Sequence, residues 1–298
     1  MRCTMNPFKR FRGKHVVATF DNPGDLRAAL RGTQGEEWAK TAMRGDGFYS
    51  GQTYASALEG MIAGDADAAA RADKLMGQLA AVDHATVKRA RVNSPYGRVS
   101  VGSYLASDPM PCRRRVEIKT QKAPVSIVAS LNSMADVATD ALERRGVVIA
   151  ALVKKVAMQR PVNLYLSRFS SAAGNNSCML VKFPTTPIDS YRLAYLLSNQ
   201  GFCRGIGFAF HNSFDTWTSA AGNPMPHEPT SLISFAGDAG YSQRRGCPFA
   251  HDLRDFLGED VLYIPGSDPA DPTFKAMTKN PVAWLNDTIA TLTKGLNK

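Results

Sequence analysis

Nine basic side chains fall between residues 88 and 122: Lys88, Arg89, Arg91, Arg98, Arg113, Arg114, Arg115, Lys119 and Lys122. Only Asp108 and Glu117 oppose them in that stretch. Guanidinium and ammonium groups at this density do one kind of chemistry well: they pair with the phosphates of a polyanion and release its counterions. A second basic run lies in the first 14 residues, where Arg2, Lys9, Arg10, Arg12 and Lys14 surround Phe8 and Phe11 without any acid. Such an arm either orders along phosphates or serves solubility as a frayed terminus. Tyr96, Tyr104, Phe8 and Phe11 are the aromatics nearest the clusters, and rings beside cations can hold stacked bases.

The charge is unevenly shared along the 298 residues. Lys and Arg outnumber Asp and Glu by 25 to 15 in residues 1–160 and stand at 11 to 11 beyond, so the net +10 belongs to the first part. With an isoelectric point near 9.5, this is the footprint of a nucleic-acid binder, against the alternative of an ordinary solvated surface.

Other chemistries lack their residues. There is no Walker phosphate loop, GxSxG elbow, HExxH pair or GxGxxG turn, and Gly205-Ile206-Gly207 is only a fragment. Asp252, Asp255, Glu259 and Asp260 read as solvated helix-end charges rather than a metal-holding set. Cys3, Cys112, Cys178, Cys203 and Cys247 are an odd, scattered set that suits reduced thiols. Neither Cys247 with His251 nor Cys203 with His211 forms the CxxC knuckle of a zinc site. The sequence therefore predicts no enzyme, no cofactor and no metal. No apolar run approaches the roughly 18 residues of a membrane span, and the basic N-terminus lacks a secretion signal's apolar stretch, so a cytoplasmic protein without a membrane partner is expected.

The elements that position these charges follow from periodicity and turn chemistry. A strand is predicted over Val16–Phe20, then the Asn22-Pro23-Gly24 turn and a helix from Asp25 to Leu30, before Gly32 and Gly35 loosen the chain. Helical spacing marks Thr53–Leu58, Asp65–Leu79 and Asp83–Arg91, with Lys88, Arg89 and Arg91 in the last turns. The segment Asn93–Gly97 stops that helix.

The centre reads as strand Val125–Ser130, helix Met134–Gln159 with a possible break at Gly146, strands Val162–Phe169 and Cys178–Phe183, helix Ile188–Asn199 and strand Arg204–His211. That order is βαββαβ, the split βαβ of ferredoxin-like domains, within an α+β fold. Tyr165 with Phe169, and Phe208 with Phe210, would share strand faces and either stack bases or fill the core. Residues 216–240 are rich in Gly, Pro, Asn and Ser and read as loops, while Arg244 and Arg245 extend the basic surface or mark a solvated loop tip. A short helix (Asp252–Leu257), a strand (Asp260–Ile264) and a helix (Pro281–Leu296) follow; the last docks on the body, on a second subunit or on a partner, which leaves oligomerisation open. The predicted organisation is one globular unit: arm and first strand (1–20), helical basic region (21–124), βαββαβ core (125–211) and loop-rich wrap (212–298).

One segment carries a resemblance. Residues Tyr96 to Met110, YGRVSVGSYLASDPM, preceded by Tyr54-Ala55-Ser56-Ala57-Leu58-Glu59-Gly60, resemble an uncharacterised family of bacteriophage proteins. In that family an s-x-x-e-A-L-x-x-a-x-x-G helix precedes a G-x-x-v-x-V-x-x-y-L-a-G-d-P-x-x-M segment. Ser107 stands where the family has Gly, and Pro111-Cys112 follows Met110. Within the family the chain is most similar to the single-stranded-DNA-binding RNA polymerase cofactors of N-four-like bacteriophages. The resemblance implies an early protein of the host cytoplasm that binds melted middle promoters and brings the phage-encoded RNA polymerase to them. It also implies a fold other than the oligonucleotide-binding barrel. It supplies no matched binding residues, so the candidate site rests on charge and aromatic placement. Arg113, Arg114, Arg115, Lys119, Lys122, Lys88, Arg89, Arg91 and Arg98 follow the backbone of single-stranded DNA with little sequence preference, joined by Lys9, Arg10, Arg12, Tyr96 and Tyr104. The alternative is a non-enzymatic virion component or adaptor whose charge serves solubility and steering.

Overall fold

The computed structural model describes residues 8–11, 15–45, 47–49, 51–79, 87–94, 96, 98–107, 109–110, 112–119, 124–133, 137–172, 175–210, 212–213, 256–257 and 261–294. The chain divides into a body, residues 1–80 and 124–298, and a small unit of residues 81–123.

The body is built on a mixed six-stranded sheet. Its strands are β1 (Phe8–Phe11), β2 (His15–Phe20), β6 (Val125–Ser130), β7 (Val162–Ala172), β8 (Asn175–Phe183) and β9 (Val261–Ile264), in the order β1-β2-β8-β7-β6-β9. β6 runs parallel to both β7 and β9, β8 is antiparallel to β7, and β2 is parallel to β8. All six residues of β6 are buried, which is why it reads as a continuous apolar run, as a strand covered on both faces does.

Local chemistry sets the helices. In α1 (Pro23–Leu30), Pro occupies the first turn, where a missing N–H costs nothing, and Asn22 Oδ1 accepts from the Asp25 backbone N–H at 3.0 Å. α2 (Gln34–Ala42) begins at Thr33, whose hydroxyl accepts from the Glu36 N–H. α3 (Tyr54–Ala63) opens with a Thr53–Ser56 capping box, and α4 (Ala66–Gly77) is capped by Asp65. α6 (Thr139–Ala157) and α7 (Ser190–Ser198) pack on each other and on α4, while α8 (Pro272–Lys279) and α9 (Pro281–Lys294) pack on α6.

The small unit contributes β3 (Val87–Ser94), β4 (Arg98–Val99), the one-turn α5 (Val101–Leu105) and β5 (Cys112–Lys119). Its three-stranded antiparallel sheet has the order β3-β5-β4.

The α+β class holds, and among the described residues neither sheet closes into a barrel. Several finer expectations are corrected. The helix expected over Asp83–Arg91 is strand β3 from Val87 onward, because β5 supplies an eight-residue antiparallel partner; long-range pairing overrides local helical spacing. Within the region expected to be helical, 21–124, the described residues from Val87 onward thus include three strands and only the one-turn helix 101–105. The strand expected over Arg204–His211 is instead a π turn, Gly201–Ile206, running into helical backbone to residue 210; His211 lies outside the described residues. Every residue from 201 to 210 is buried, and a short apolar run buried on all sides has no period to separate strand from helix. The βαββαβ order therefore stops at α7. β6 and β7 are direct parallel neighbours rather than a split pair, and β2 and β9 complete the sheet. Gly146 does not break α6: a Cβ there would lie 2.4 Å from the Leu197 carbonyl oxygen, so it is the notch through which α7 approaches. The helices α2 and α8 had no counterpart in the sequence reading.

Candidate nucleic-acid interface

Eight of the nine clustered basic residues lie on the strands of the 81–123 unit, and Lys122 lies outside the described residues. With nine Lys and Arg against Asp83, Asp108 and Glu117, this unit carries +6 of the chain's +10.

Register divides these charges between two faces. β3 pairs with β5 as Arg89↔Glu117, Arg91↔Arg115 and Asn93↔Arg113, and β4 adds Arg98↔Arg113. Directly paired positions of an antiparallel ladder share a face, as do alternate positions along a strand. Positions 89, 91, 98, 113, 115 and 119 therefore form one basic row with a single acid, Glu117, among them. The other face carries Lys88 and Arg114 at positions shared with Ala90, Val92, Cys112, Val116 and Ile118. The Arg113-Arg114-Arg115 run is thus split between faces and is not one patch.

Two pairs in the row, Arg91↔Arg115 and Arg98↔Arg113, set like charges directly opposite. Such pairs destabilise an isolated sheet by about 0.2–1 kcal/mol each.

The segment between β3 and β5 carries the rings. Tyr96 is 79% exposed, with its backbone N–H donating to Ser94 Oγ, and Tyr104 on α5 is 66% exposed. Val99, Val101, Leu105 and Met110 of the same segment are also exposed. The sequence reading missed this aliphatic set, although its signal, four large apolar residues among Gly, Ser and Arg, is present in residues 97–110.

The remaining candidates are placed elsewhere or not at all. Lys9 and Arg10 belong to β1, an edge strand of the body's sheet, and Arg12 lies outside the described residues. Tyr165 and Phe169 do share a face, but Phe169 sits edge-on to Tyr263 in a cluster with Val17, Val128, Cys178 and Leu180. Phe208 and Phe210 are helical and buried, the first against Trp38 and Phe48, the second against Phe20. These rings fill the core.

Three of the body's four buried arginines, all passed over by sequence reasoning, donate to backbone carbonyls. Arg145 donates to the carbonyls of Ser130 and Pro265 at the ends of β6 and β9, Arg168 donates to the Cys203 carbonyl, and Arg204 to those of Phe48 and Val137. Two of these guanidiniums also lie over aromatic rings, Arg168 over Phe208 and Arg204 over Phe48. Burial pulls Arg145 down to about 10 and pushes the Cys203 thiol up to about 11, the three arginines partly offsetting the latter. A thiol held protonated in this way is a packing group, not a nucleophile.

Cys112, Cys178 and Cys203 are buried free thiols, and among the described residues no three His, Cys, Asp or Glu side chains are placed to share a metal. Asp252, Asp255, Glu259, Cys3, Cys247 and His251 lie outside the described residues. No helix among the described residues is long and apolar enough to cross a membrane.

A family model for a domain of unknown function, DUF7192, matches residues 3–272, and the chain belongs to that family. No curated protein and no solved structure matches it.

Proposed function

We propose that the 81–123 unit binds single-stranded DNA with little sequence preference, and that the chain serves a bacteriophage by bringing its RNA polymerase to melted middle promoters. The observation that carries the binding step is the register placing Arg89, Arg91, Arg98, Arg113, Arg115 and Lys119 in one row with two like-charged cross-strand pairs. A row of cations along a sheet follows a phosphate backbone, and backbone contacts carry no sequence information. Tyr96 and Tyr104 hold bases beside it, each stack contributing about 1–3 kcal/mol. The polymerase step rests on the resemblance of residues 54–60 and 96–110.

The test is an electrophoretic shift with a ~30-nucleotide labelled strand and the matching duplex at two salt concentrations. Preference for the single strand, with steep salt dependence, is expected. Equal binding of both forms would mark a general basic surface, and no shift would favour a non-enzymatic adaptor. Capture of the phage polymerase on a template with a preformed bubble, dependent on this protein, tests the second step.

A further inference from the structure

The single-strand reading accounts for Tyr96 and Tyr104 but not for the aliphatic side chains beside them. Among the described residues, six of the nine large hydrophobic side chains that are exposed lie between residues 96 and 110. Val101, Tyr104 and Leu105 stand at positions i, i+3 and i+4 of α5 and so share one side of that turn. Val101 is 69% exposed and Leu105 77%, whereas the polar Ser103 is less exposed than either. α5 turns its apolar side to solvent, the reverse of ordinary amphipathic order. Val99 and Met110 flank it, both exposed. Arg98 of the basic row precedes Val101 by three residues, a reach of about 10 Å at strand rise.

A flexible single strand offers an aliphatic side chain little, since stacking needs a ring face. The gap between two base pairs offers more: Leu, Ile and Met inserted at a base step unstack it and kink the duplex. A second copy of the chain is a poor occupant, because it would bring another +6 unit against this one. We infer that Val101 and Leu105 form a wedge that enters a base step, so that the preferred ligand is DNA in which duplex adjoins single strand. The basic row holds the unpaired strand while the tip of α5 props the last pair open. This inference rests on the single-strand reading above.

The experiment uses the full chain and three labelled DNAs of equal length: a single strand, a duplex and a duplex with a central unpaired bubble. 2-Aminopurine at the bubble edge reports unstacking. The wild type is expected to bind the bubble at least about tenfold tighter than the single strand, with a rise in 2-aminopurine fluorescence. The double variant Val101→Ser/Leu105→Ser alters only exposed positions. It is expected to lose the bubble preference and the fluorescence rise while keeping the single-strand affinity and its salt slope. An unchanged bubble preference in the variant overturns the wedge, as does an equal loss on all three DNAs. Wild-type binding to the single strand without bubble preference also overturns it and leaves the single-strand reading standing. Failure to bind any of the three DNAs ends both.

Discussion

Splitting the basic residues by face gives a sharp test, because two sets of neutralising substitutions in the same strands should behave oppositely. The first set, Arg91→Ala, Arg113→Ala and Arg115→Ala together, empties half of the six-position row; the second, Lys88→Ala with Arg114→Ala, alters the other face. Six phosphate contacts at roughly 0.7 per contact give a slope of log affinity against log salt near −4, and three contacts give about −2. At about 0.1 M salt each contact is worth about fivefold, so the first set should weaken single-strand binding roughly 100-fold. The second set should change affinity less than about threefold at the same salt. The first set also removes both like-charged cross-strand pairs, each costing about 0.2–1 kcal/mol. Hydrogen-exchange protection of β3 and β5 in the free protein should therefore hold or rise while binding falls. Fluorescence anisotropy across a salt series, paired with exchange measurements, reads both quantities. If the two sets weaken binding alike, or if the first flattens no slope, the two-faced sheet is not the interface.

The body offers further tests. Gly35→Ala places a Cβ 1.9 Å from the Ala209 carbonyl oxygen and should destabilise the chain by about 1–3 kcal/mol in urea unfolding. Asp65→Ala removes the side chain that accepts from the Ala68 N–H at the start of α4 and should cost about 1 kcal/mol in the same assay. Burial raises the Cys203 thiol from 9.0 to about 11, so the folded state keeps a proton that the unfolded chain gives up. The stability this contributes is complete below pH 9 and lost by about pH 11, on the order of 2–3 kcal/mol in all. Cys203→Ala should flatten the fall of the urea midpoint across that window, and an unchanged fall would assign it elsewhere.

Elements with strong caps or unambiguous period are legible in the sequence. The cap at Asp65 and the turn at Asn22-Pro23-Gly24 locate α4 and α1 to within a residue or two, although Asn22 rather than Asp25 is the cap. The β-branched run of residues 125–130 locates β6. Failures concentrate where long-range contacts decide. Gly35 reads as a helix breaker, yet it sits in α2 because residue 209 approaches too closely for any side chain. Residues 204–210 are a short apolar run whose pattern does not separate strand from helix, and in the fold they are buried helical backbone. β9, distant in sequence, pairs with β6 only once the chain has folded back.

The candidate site was legible as a composition but not as a geometry, and the difference changes its expected behaviour. In β5 the odd positions 113, 115, 117 and 119 are all charged, while the even positions 112, 116 and 118 are Cys, Val and Ile. That period of two was obscured by Arg114, and by reading Lys88, Arg89 and Arg91 as cations closing a helix. Register adds what no single strand contains: Arg91 opposite Arg115, and Arg98 opposite Arg113. Counting charges alone gives nine contacts between residues 88 and 122 and a slope near −6, whereas one face can present only six of the placed residues and a slope near −4. A measured slope at the smaller value means that one strand of DNA lies along one face. A value near −6 would require Lys88, Arg114 and Lys122 to reach phosphates as well, which a single strand lying on the basic row cannot provide through Lys88 and Arg114.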